Sequence, residues 1–239
     1  MSTLKEMELH GRVVLITGAN GGLGAFVTNS FLDAGARVIG VSRSISDADF
    51  PRGGFSAIPA EISGGENARQ LVDAAIAKAG RIDGLIHLMG GFAGGQPVAD
   101  TDDATFDRML DLNLRSAFYV IRATLPPMRD QGSGRIIAIG SKAAVEPAPM
   151  AGAYSTSKAG LVSLVRTVAR ENSDRGISAN IVLPGTMDTP ANRATMPGSD
   201  FSKWVHPCQV AKLLVYLMSD QASQVNGAVI PIYGQEAAA

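Results

Sequence analysis

The chain has 239 residues, of which 46% are hydrophobic and 18% are charged, and its formal net charge at pH 7 is −1. This length predicts a single domain over residues 1–239 with a sizeable core. The near-neutral balance argues against nucleic acid or an anionic membrane surface as a partner. With one cysteine, Cys208, no intrachain disulfide can form, which fits a reducing compartment.

Metal binding and membrane insertion are also not expected. The three histidines and the cysteine are widely scattered, without the spacing of metal ligands. The first residues, MSTLKEMELHGR, lack the apolar centre of a signal peptide. No stretch reaches the roughly 18 apolar residues of a membrane span. The expectation is a cytoplasmic protein that holds no metal.

Apolar runs alternate with helical patterns along the chain. The predicted strands are 13–17, 37–42, 55–60 (the weakest), 84–89, 135–140, 178–183 and 228–233. The predicted helices lie near 22–34, 66–79, 103–125, 151–172 and 207–219, and Pro126-Pro127 are expected to end the third of these. Strands that are apolar on both faces and separated by helices indicate an α/β fold, with a parallel sheet covered on both sides. The irregular segment 184–206 is predicted to be a substrate lid.

Glycines are concentrated where the first predicted strand turns into the first predicted helix, in VVLITGANGGLGAF (13–26). Their spacing fits T-G-x-x-x-G-x-G beginning at Thr17. Glycines let a backbone approach a pyrophosphate closely, and the following helix N-terminus offers N–H donors. The position favours a dinucleotide site, and the alternative is a tight strand-to-helix turn.

The stretch AYSTSKAG (153–160) places Tyr154 and Lys158 one helical turn apart. Leu161, Val165 and Val168 continue the same stripe, so Lys158 is predicted to be buried, which is costly for an unpaired ammonium. A lysine about 4 Å away is worth roughly 4 kcal/mol at an effective dielectric of about 20, on the order of three pKa units, and would lower the pKa of Tyr154. Desolvation opposes this shift. Tyr154 is therefore predicted to be a general acid/base, and the alternative is a ring that fills space.

Two polar residues complete the predicted catalytic set. Ser141 follows a strand, where its hydroxyl could orient a carbonyl, although serine is also common in turns. Asn113 lies in a helical pattern for which asparagine is a poor former. The alternative for Asn113 is a surface side chain bonded to its own backbone.

The chain resembles the short-chain dehydrogenase/reductase family from Gly11 to the Asn226-Gly227 turn. The motifs that carry the resemblance occur in order: Thr17-Gly18 with Gly22 and Gly24, then Asn113, Ser141, Tyr154 with Lys158, and Pro184-Gly185. The resemblance implies a doubly wound Rossmann sheet, a nicotinamide cofactor and hydride transfer. It also implies that Asn113 holds a water in a proton relay through the lysine. Family members are usually tetramers built through the helices at 103–125 and 151–172, so a homo-oligomer, tetramer or dimer, is expected.

The cofactor is predicted to be NADP(H), with NAD(H) as the alternative. The second strand ends at Ser42 without a carboxylate, and Arg43 could bind a 2′-phosphate. Glu61 resembles the family's adenine-side acid, although it could be an exposed turn residue. The full predicted cofactor set is Thr17, Gly18, Asn20, Gly22, Leu23, Gly24, Ser42, Arg43, Glu61, Ile62, Gly90, Tyr154, Lys158, Pro184, Gly185, Thr186 and Thr189.

The family's usual N-N-A-G is replaced here by HLMG (87–90), and His87 is expected to be a core residue. The segments 90–95 and 183–204 resemble the dihydropteridine reductase branch, which reduces quinonoid dihydropterins. On that resemblance a flat substrate would contact Phe92 or Trp204. The alternatives are that Phe92 packs in the core and that Trp204 closes a structural lid. Arg43 and Ser141 depart from the animal members of that branch.

Three functions therefore remain open from the sequence. The first is a reductase that transfers hydride from NADPH to a carbonyl or imine of a small molecule. The second is a quinonoid dihydropteridine reductase-like activity. The third is a cofactor-binding sensor without chemistry, which the presence of both Tyr154 and Lys158 disfavours.

Overall fold

The computed structural model describes residues 8–235, in which seven strands form one parallel sheet. The strands are β1 (Val13–Thr17), β2 (Arg37–Ser42), β3 (Phe55–Pro59), β4 (Gly84–His87), β5 (Gly134–Ile139), β6 (Ile177–Pro184) and β7 (Val229–Ile232). Their order in the sheet is β3-β2-β1-β4-β5-β6-β7. All seven predicted strands, including the weak third one, are confirmed.

Helices cover both faces of this sheet, as in a doubly wound Rossmann fold. They are α1 (Gly24–Asp33), α2 (Gly65–Ala79), α3 (Asp103–Leu110), α4 (Ser116–Gln131), α5 (Gly152–Glu171), α6 (Pro190–Thr195) and α7 (Pro207–Met218). One core cluster joins the sheet to α1 and α7, and the other joins it to α2, α4 and α5. Two cores separated by the sheet explain why its strands are apolar on both faces.

The apolar stripe of α5 is buried as predicted. Leu161 and Val165 are fully buried and Val168 is 3% exposed. Each such side chain contributes about 1.5–3 kcal/mol by leaving water. The apolar run 117–121 on α4 also buries Ala117, Val120 and Ile121 in the chain's own core. Most of both runs therefore serves the monomer's core.

The prediction that Pro126-Pro127 end a helix is wrong, because α4 continues to Gln131. Each proline removes one backbone donor and crowds the carbonyl four residues earlier. Packing outweighs this cost, since Leu125 and Met128 on either side of the prolines are buried. The helix ends instead at Gly132, whose φ of +65° suits a glycine cap.

The predicted helix 103–125 is not continuous either. A π-helical turn over Asp111–Arg115 separates α3 from α4. Such a turn inserts extra backbone into the helical repeat and is frequent at functional sites. Here it carries Asn113, which is fully buried.

The chain crosses the sheet between β3, at one edge, and β4, which pairs with β1. The strand order reverses at this point, and ligands of doubly wound sheets bind outside the carboxyl ends of the strands there. Thr17 and His87 are paired at those two ends. Within residues 8–235, no helix is both long enough and apolar enough to cross a membrane.

Candidate active site

Lys158 lies at the centre of the site, on the face of α5 that meets the end of β5. Its side chain is buried, and its Nζ donates to the Ile139 carbonyl at 2.9 Å. Burial lowers the pKa of Lys158 from 10.5 to about 8, because desolvation penalises the ammonium. The group therefore still carries its proton at pH 7 but releases it more easily than a free lysine.

Tyr154 lies one turn earlier on α5, and Ser141 follows β5. The Ser141 hydroxyl is near enough to that of Tyr154 to affect its pKa, and its oxygen accepts from the Ala143 N–H at 3.2 Å. Burial raises the pKa of Tyr154, and the Ser141 hydroxyl opposes this rise. We expected Lys158 to lower the pKa of Tyr154. The protein's own groups raise this pKa instead, because desolvation is the largest contribution to its shift. Tyr154 holds its proton at neutral pH, which is the form that a general acid needs.

Asn113 clamps the loop that follows β4. Its Oδ1 accepts from the Gly91 N–H at 2.9 Å, and its Nδ2 donates to the Gly91 carbonyl at 3.0 Å. The second Nδ2 hydrogen is donated to Ser157 Oγ at 3.1 Å. The alternative of a surface asparagine is wrong, because a residue 44 positions away and a separate loop use both ends of the buried amide.

Gly90 lets this loop lie directly on the catalytic groups. A Cβ at Gly90 would lie 2.7 Å from Asn113 Oδ1 and 3.2 Å from Lys158 Nζ. Any side chain there would displace one of them. Steric crowding therefore restricts this position to glycine.

The glycine-rich turn is shaped as a cradle. Gly18 has a φ of +71°, and a Cβ on Gly24 would lie 1.9 Å from the Gly18 carbonyl oxygen, so only glycine fits. Gly22 lies opposite the lid, since its Cβ would be 3.5 Å from Thr189 Cγ2. Asn20 is exposed beside them, while Leu23 is buried. This geometry fits a pyrophosphate at the start of α1.

The Thr17 side chain forms hydrogen bonds at the end of the neighbouring strand, β4. Its buried hydroxyl oxygen accepts from the Leu88 and Met89 N–H groups, at 3.2 and 3.4 Å. It is also hydrogen-bonded to His87 Nδ1, 3.0 Å away. Burial, assisted by the charge on Lys158, lowers the pKa of His87 to about 3. The prediction that His87 is a core residue is confirmed.

The end of β2 offers polar groups suited to a phosphate. The Ser42 Oγ is buried and has no hydrogen-bond partner within residues 8–235, and Arg43 beside it is exposed. A buried hydroxyl without a protein partner is available to bond to a ligand. After β3, Glu61 is exposed and Ile62 packs in the core. These residues fit the adenosine end of a dinucleotide.

The lid begins where β6 ends at Pro184. The Gly185 N–H bonds to Ile232, and Thr186 accepts from Val205. The lid is not wholly irregular as predicted, because it contains α6. The Thr189 hydroxyl caps this helix by accepting from Asn192 N–H at 3.3 Å, and Pro190 follows. A capping threonine before a proline was a local helix signal that the prediction missed.

The two predicted substrate residues differ in their surroundings. Phe92 is 69% exposed, and its ring centroid lies 5.0 Å from that of Tyr154, edge to face. The alternative that Phe92 packs in the core is wrong. Trp204 is half-buried in the lid, with its ring centroid 4.7 Å from that of Phe201. Of the two residues, Phe92 is therefore the one whose ring contacts the candidate general acid, Tyr154.

Some participants in the site were not predicted. They are Ile139, which anchors Lys158 through its carbonyl, and Gly91 and Ser157, which bond to Asn113. A main-chain carbonyl leaves no signal in a sequence, so Ile139 could not have been found. Over residues 8–235, the structure contains no group of three or more histidine, cysteine or acidic side chains that could hold a metal ion.

Comparisons with known proteins agree with this fold. The family model described as short chain dehydrogenase matches residues 12–199. The chain is 31% identical over 252 positions to the asnovolin H dehydrogenase of Aspergillus novofumigatus (strain IBT 16806), covering 94% of this chain and 96% of that protein. A 3-ketoacyl-(acyl-carrier-protein) reductase from Brucella melitensis, complexed with NADH, superposes with a TM-score of 0.86 at 26% identity, covering 95% and 98% of the two chains. The RhlG/NADP active-site complex of Pseudomonas aeruginosa gives a TM-score of 0.87 at 28% identity, covering 95% and 97%.

Proposed function

The chain is an oxidoreductase of the short-chain dehydrogenase/reductase family, and on that premise we propose that it reduces a carbonyl or imine group of a small molecule with NADPH. The observation that carries the proposal is the placement of the Ser141 hydroxyl beside a protonated Tyr154, one helical turn from the buried Lys158. These groups provide a proton and a hydrogen-bond donor at one point.

Each residue has a defined task in the proposed reaction. The reduced nicotinamide, when bound, supplies the hydride. Tyr154 gives its proton to the substrate oxygen or nitrogen, and the Ser141 hydroxyl orients that atom. The Lys158 ammonium stabilises the resulting tyrosinate and can return a proton to it, since its pKa is lowered to about 8. General acid catalysis of this kind contributes about 10²–10⁴-fold.

Asn113 is proposed as a positioning residue. Its amide holds Gly91, and through it the loop whose Gly90 lies against Lys158. The family's relay water, which would connect Lys158 to solvent, belongs to this proposal. Since both Nδ2 hydrogens are used within the protein, such a water would have to bond to other atoms of the turn.

We propose NADP(H) as the preferred cofactor, with NAD(H) as a weaker alternative. The glycine-rich turn from Thr17 to Gly24 would hold the pyrophosphate, with Thr17 acting by fixing the loop after β4. Ser42 and Arg43 would bind the 2′-phosphate, and Glu61 and Ile62 would flank the adenine. Gly90 and the residues from Pro184 to Thr189 would enclose the nicotinamide end. The buried, unpartnered Ser42 hydroxyl supports this assignment, and NADP and NADH complexes both occur among the structural neighbours.

The test measures NADPH oxidation against a panel of ketones and imines, with NADH in parallel and Tyr154→Phe as the matched variant. We expect turnover with NADPH and a loss of about 10²-fold or more in Tyr154→Phe. NADPH binding, followed by its fluorescence, should weaken far less than turnover in that variant. Tight binding without turnover on the whole panel would favour the sensor alternative.

Quinonoid dihydropterin reduction is the second candidate, and the exposed ring of Phe92 against Tyr154 favours it as a platform for a flat substrate. Such an acceptor is already strongly electrophilic, so its reduction should depend little on Tyr154. Fast turnover of a quinonoid dihydropterin by both wild type and Tyr154→Phe would support this candidate. Slow turnover beside rapid ketone reduction would reject it.

We further propose that the chain works as a homo-oligomer, tetramer or dimer, in the cytoplasm. Phe118 on α4 is 41% exposed, and Val162 and Leu164 on α5 are half-buried, so apolar atoms remain on the outer faces of the two helices. Light scattering on the purified chain would measure the oligomeric state, and a monomer would reject this proposal.

A further inference from the structure

Exposed apolar side chains lie on the two loops that flank Tyr154. Phe92 and Val98 lie in the loop after β4, and Met150 precedes α5. They are 69%, 75% and 49% exposed, respectively. We call these three residues the apolar rim. Large apolar side chains are seldom left this exposed side by side unless the surface has a ligand or a partner.

Specific contacts hold the two loops together. The Gly95 N–H donates to the Met150 carbonyl at 2.8 Å. A Cβ on Gly152 would lie 2.6 Å from Val98 Cγ2, so Val98 packs on the first residue of α5. Phe92 is in contact with Tyr154. The rim is therefore continuous with the general acid.

Backbone strain indicates that this arrangement is maintained for a purpose. Met150 has a φ of +64°, the only non-glycine residue within 8–235 with a positive φ. This conformation costs about 1–2 kcal/mol for a residue with a Cβ, and such strain concentrates at ligand-binding sites. The bond from the Gly95 N–H holds the backbone of Met150 against the loop after β4.

The two rim segments also carry no charge. Residues 90–99 (GGFAGGQPVA) and 147–153 (PAPMAGA) contain no lysine, arginine, aspartate or glutamate. A substrate attached to a phosphate-bearing carrier would find no cation in either segment to neutralise it. A neutral hydrocarbon skeleton would instead bury the rim and gain the hydrophobic contribution.

We propose that the apolar rim binds the hydrocarbon skeleton of a bulky, neutral, alicyclic ketone (or of the corresponding alcohol) and so determines substrate specificity. This rests on the proposed carbonyl reductase function and names its substrate class. The part of the skeleton remote from the carbonyl lies against Phe92, Val98 and Met150, while the carbonyl oxygen reaches Tyr154 and Ser141.

The test compares kcat/KM with NADPH for a bicyclic ketone, trans-1-decalone, and for its small counterpart, cyclohexanone. Acetoacetyl-CoA represents a charged carrier. We expect wild type to favour decalone over cyclohexanone by about tenfold or more, and over acetoacetyl-CoA by more than that. Phe92→Ala and Met150→Gly should lower the ratio of kcat/KM for decalone to kcat/KM for cyclohexanone about tenfold. Met150→Leu should restore most of the decalone activity.

Phe118→Ala is the matched control. Phe118 is 41% exposed and lies on α4, away from the two rim segments. It should not alter the ratio of the two ketones. If cyclohexanone reduction depends on Tyr154 but the rim variants leave the ratio unchanged, the rim proposal fails and the carbonyl reductase function stands. Preference for acetoacetyl-CoA would also overturn the rim proposal.

A direct binding measurement covers the case of no turnover. Decalone binding to the NADP⁺ complex, measured by calorimetry, should weaken about tenfold in Phe92→Ala even if no ketone is reduced. Decalone that does not bind would overturn the proposal. A change in the oligomeric state of Phe92→Ala would assign the rim to an interface between copies and overturn it as well.

Discussion

The Nζ of Lys158 donates to the main-chain carbonyl of Ile139 at 2.9 Å. Ile139 is the last residue of β5 and precedes Ser141 by two positions. The end of one central strand thus sets both the lysine and the serine, while α5 sets the distance from Lys158 to Tyr154. Lys158, Ser141 and Tyr154 therefore keep fixed distances from one another unless the strand and the helix move. This provides the rigidity that proton transfer requires.

Replacing Tyr154 by Phe should abolish proton donation without disturbing the helix. The ring keeps its contact with Phe92, so the free energy of unfolding should change by less than about 1 kcal/mol. The kcat for a ketone should fall about 10²–10⁴-fold. Steady-state kinetics and urea unfolding of the same preparation provide the two values. A loss of stability large enough to account for the loss of activity would indicate that Tyr154 has only a structural role.

Lys158 should give the reductive reaction an alkaline limb. Because the pKa of Lys158 is lowered to about 8, its proton is lost as the pH rises above that value. The kcat for ketone reduction should then decrease above about pH 8. Lys158→Met should be slow at every pH and should lack this limb. A wild-type profile that stays flat from pH 7 to 10 would contradict the assignment.

Arg43 should discriminate between the two cofactors. Arg43→Ala removes a group proposed to bind a 2′-phosphate, and a charge-assisted hydrogen bond of this kind is worth about 1.5–3 kcal/mol. The Kd for NADPH, measured by fluorescence titration, should rise about tenfold or more, and the Kd for NADH should stay within about twofold. Arg69→Ala, which removes an exposed arginine on α2, is the control. Equal weakening of both cofactors would place Arg43 elsewhere.

Asn113 should contribute to stability as well as to activity. Asn113→Ala leaves the partly buried N–H and carbonyl of Gly91 without their protein partner, and a group left unsatisfied in this way costs up to about 1–3 kcal/mol. Urea unfolding should show a loss of about 1–3 kcal/mol, together with lower kcat. Asn29→Ala removes one exposed side-chain bond to Ala25 and should change stability by less than about 0.5 kcal/mol.

His87 should make the fold sensitive to acid. Its pKa is about 3 in the folded protein against an ordinary 6.5, so the unfolded chain binds the extra proton between those values. Stability from this group is complete above about pH 6.5 and decreases by roughly 1.4 kcal/mol per pH unit below it. His87→Asn can keep a bond to Thr17 without titrating. The free energy of unfolding of the wild type should therefore fall, relative to that of His87→Asn, as the pH falls from 7 to 5.

Local patterns predicted the elements of this protein well. The seven strands, the stripe of α5 and the burial of His87 follow from periodicity and composition over a few residues. The errors arose where distant contacts outweighed a local signal. Pro126-Pro127 lie within α4 because Leu125 and Met128 pack into the core, and the π-helical turn at Asn113 interrupts a pattern that reads as one helix.

The sequence by itself determined the fold class, the family and the order of Asn113, Ser141, Tyr154 and Lys158, because strand periodicity, glycine spacing and motif order are properties of the linear chain. Only the tertiary structure decided that burial raises the pKa of Tyr154, that Asn113 clamps Gly91, and that Phe92 is exposed beside the general acid. These outcomes depend on which atoms of distant segments exclude water from each other. Desolvation and long-range hydrogen bonds are sums over neighbours in space, which the spacing of residues along a chain does not specify.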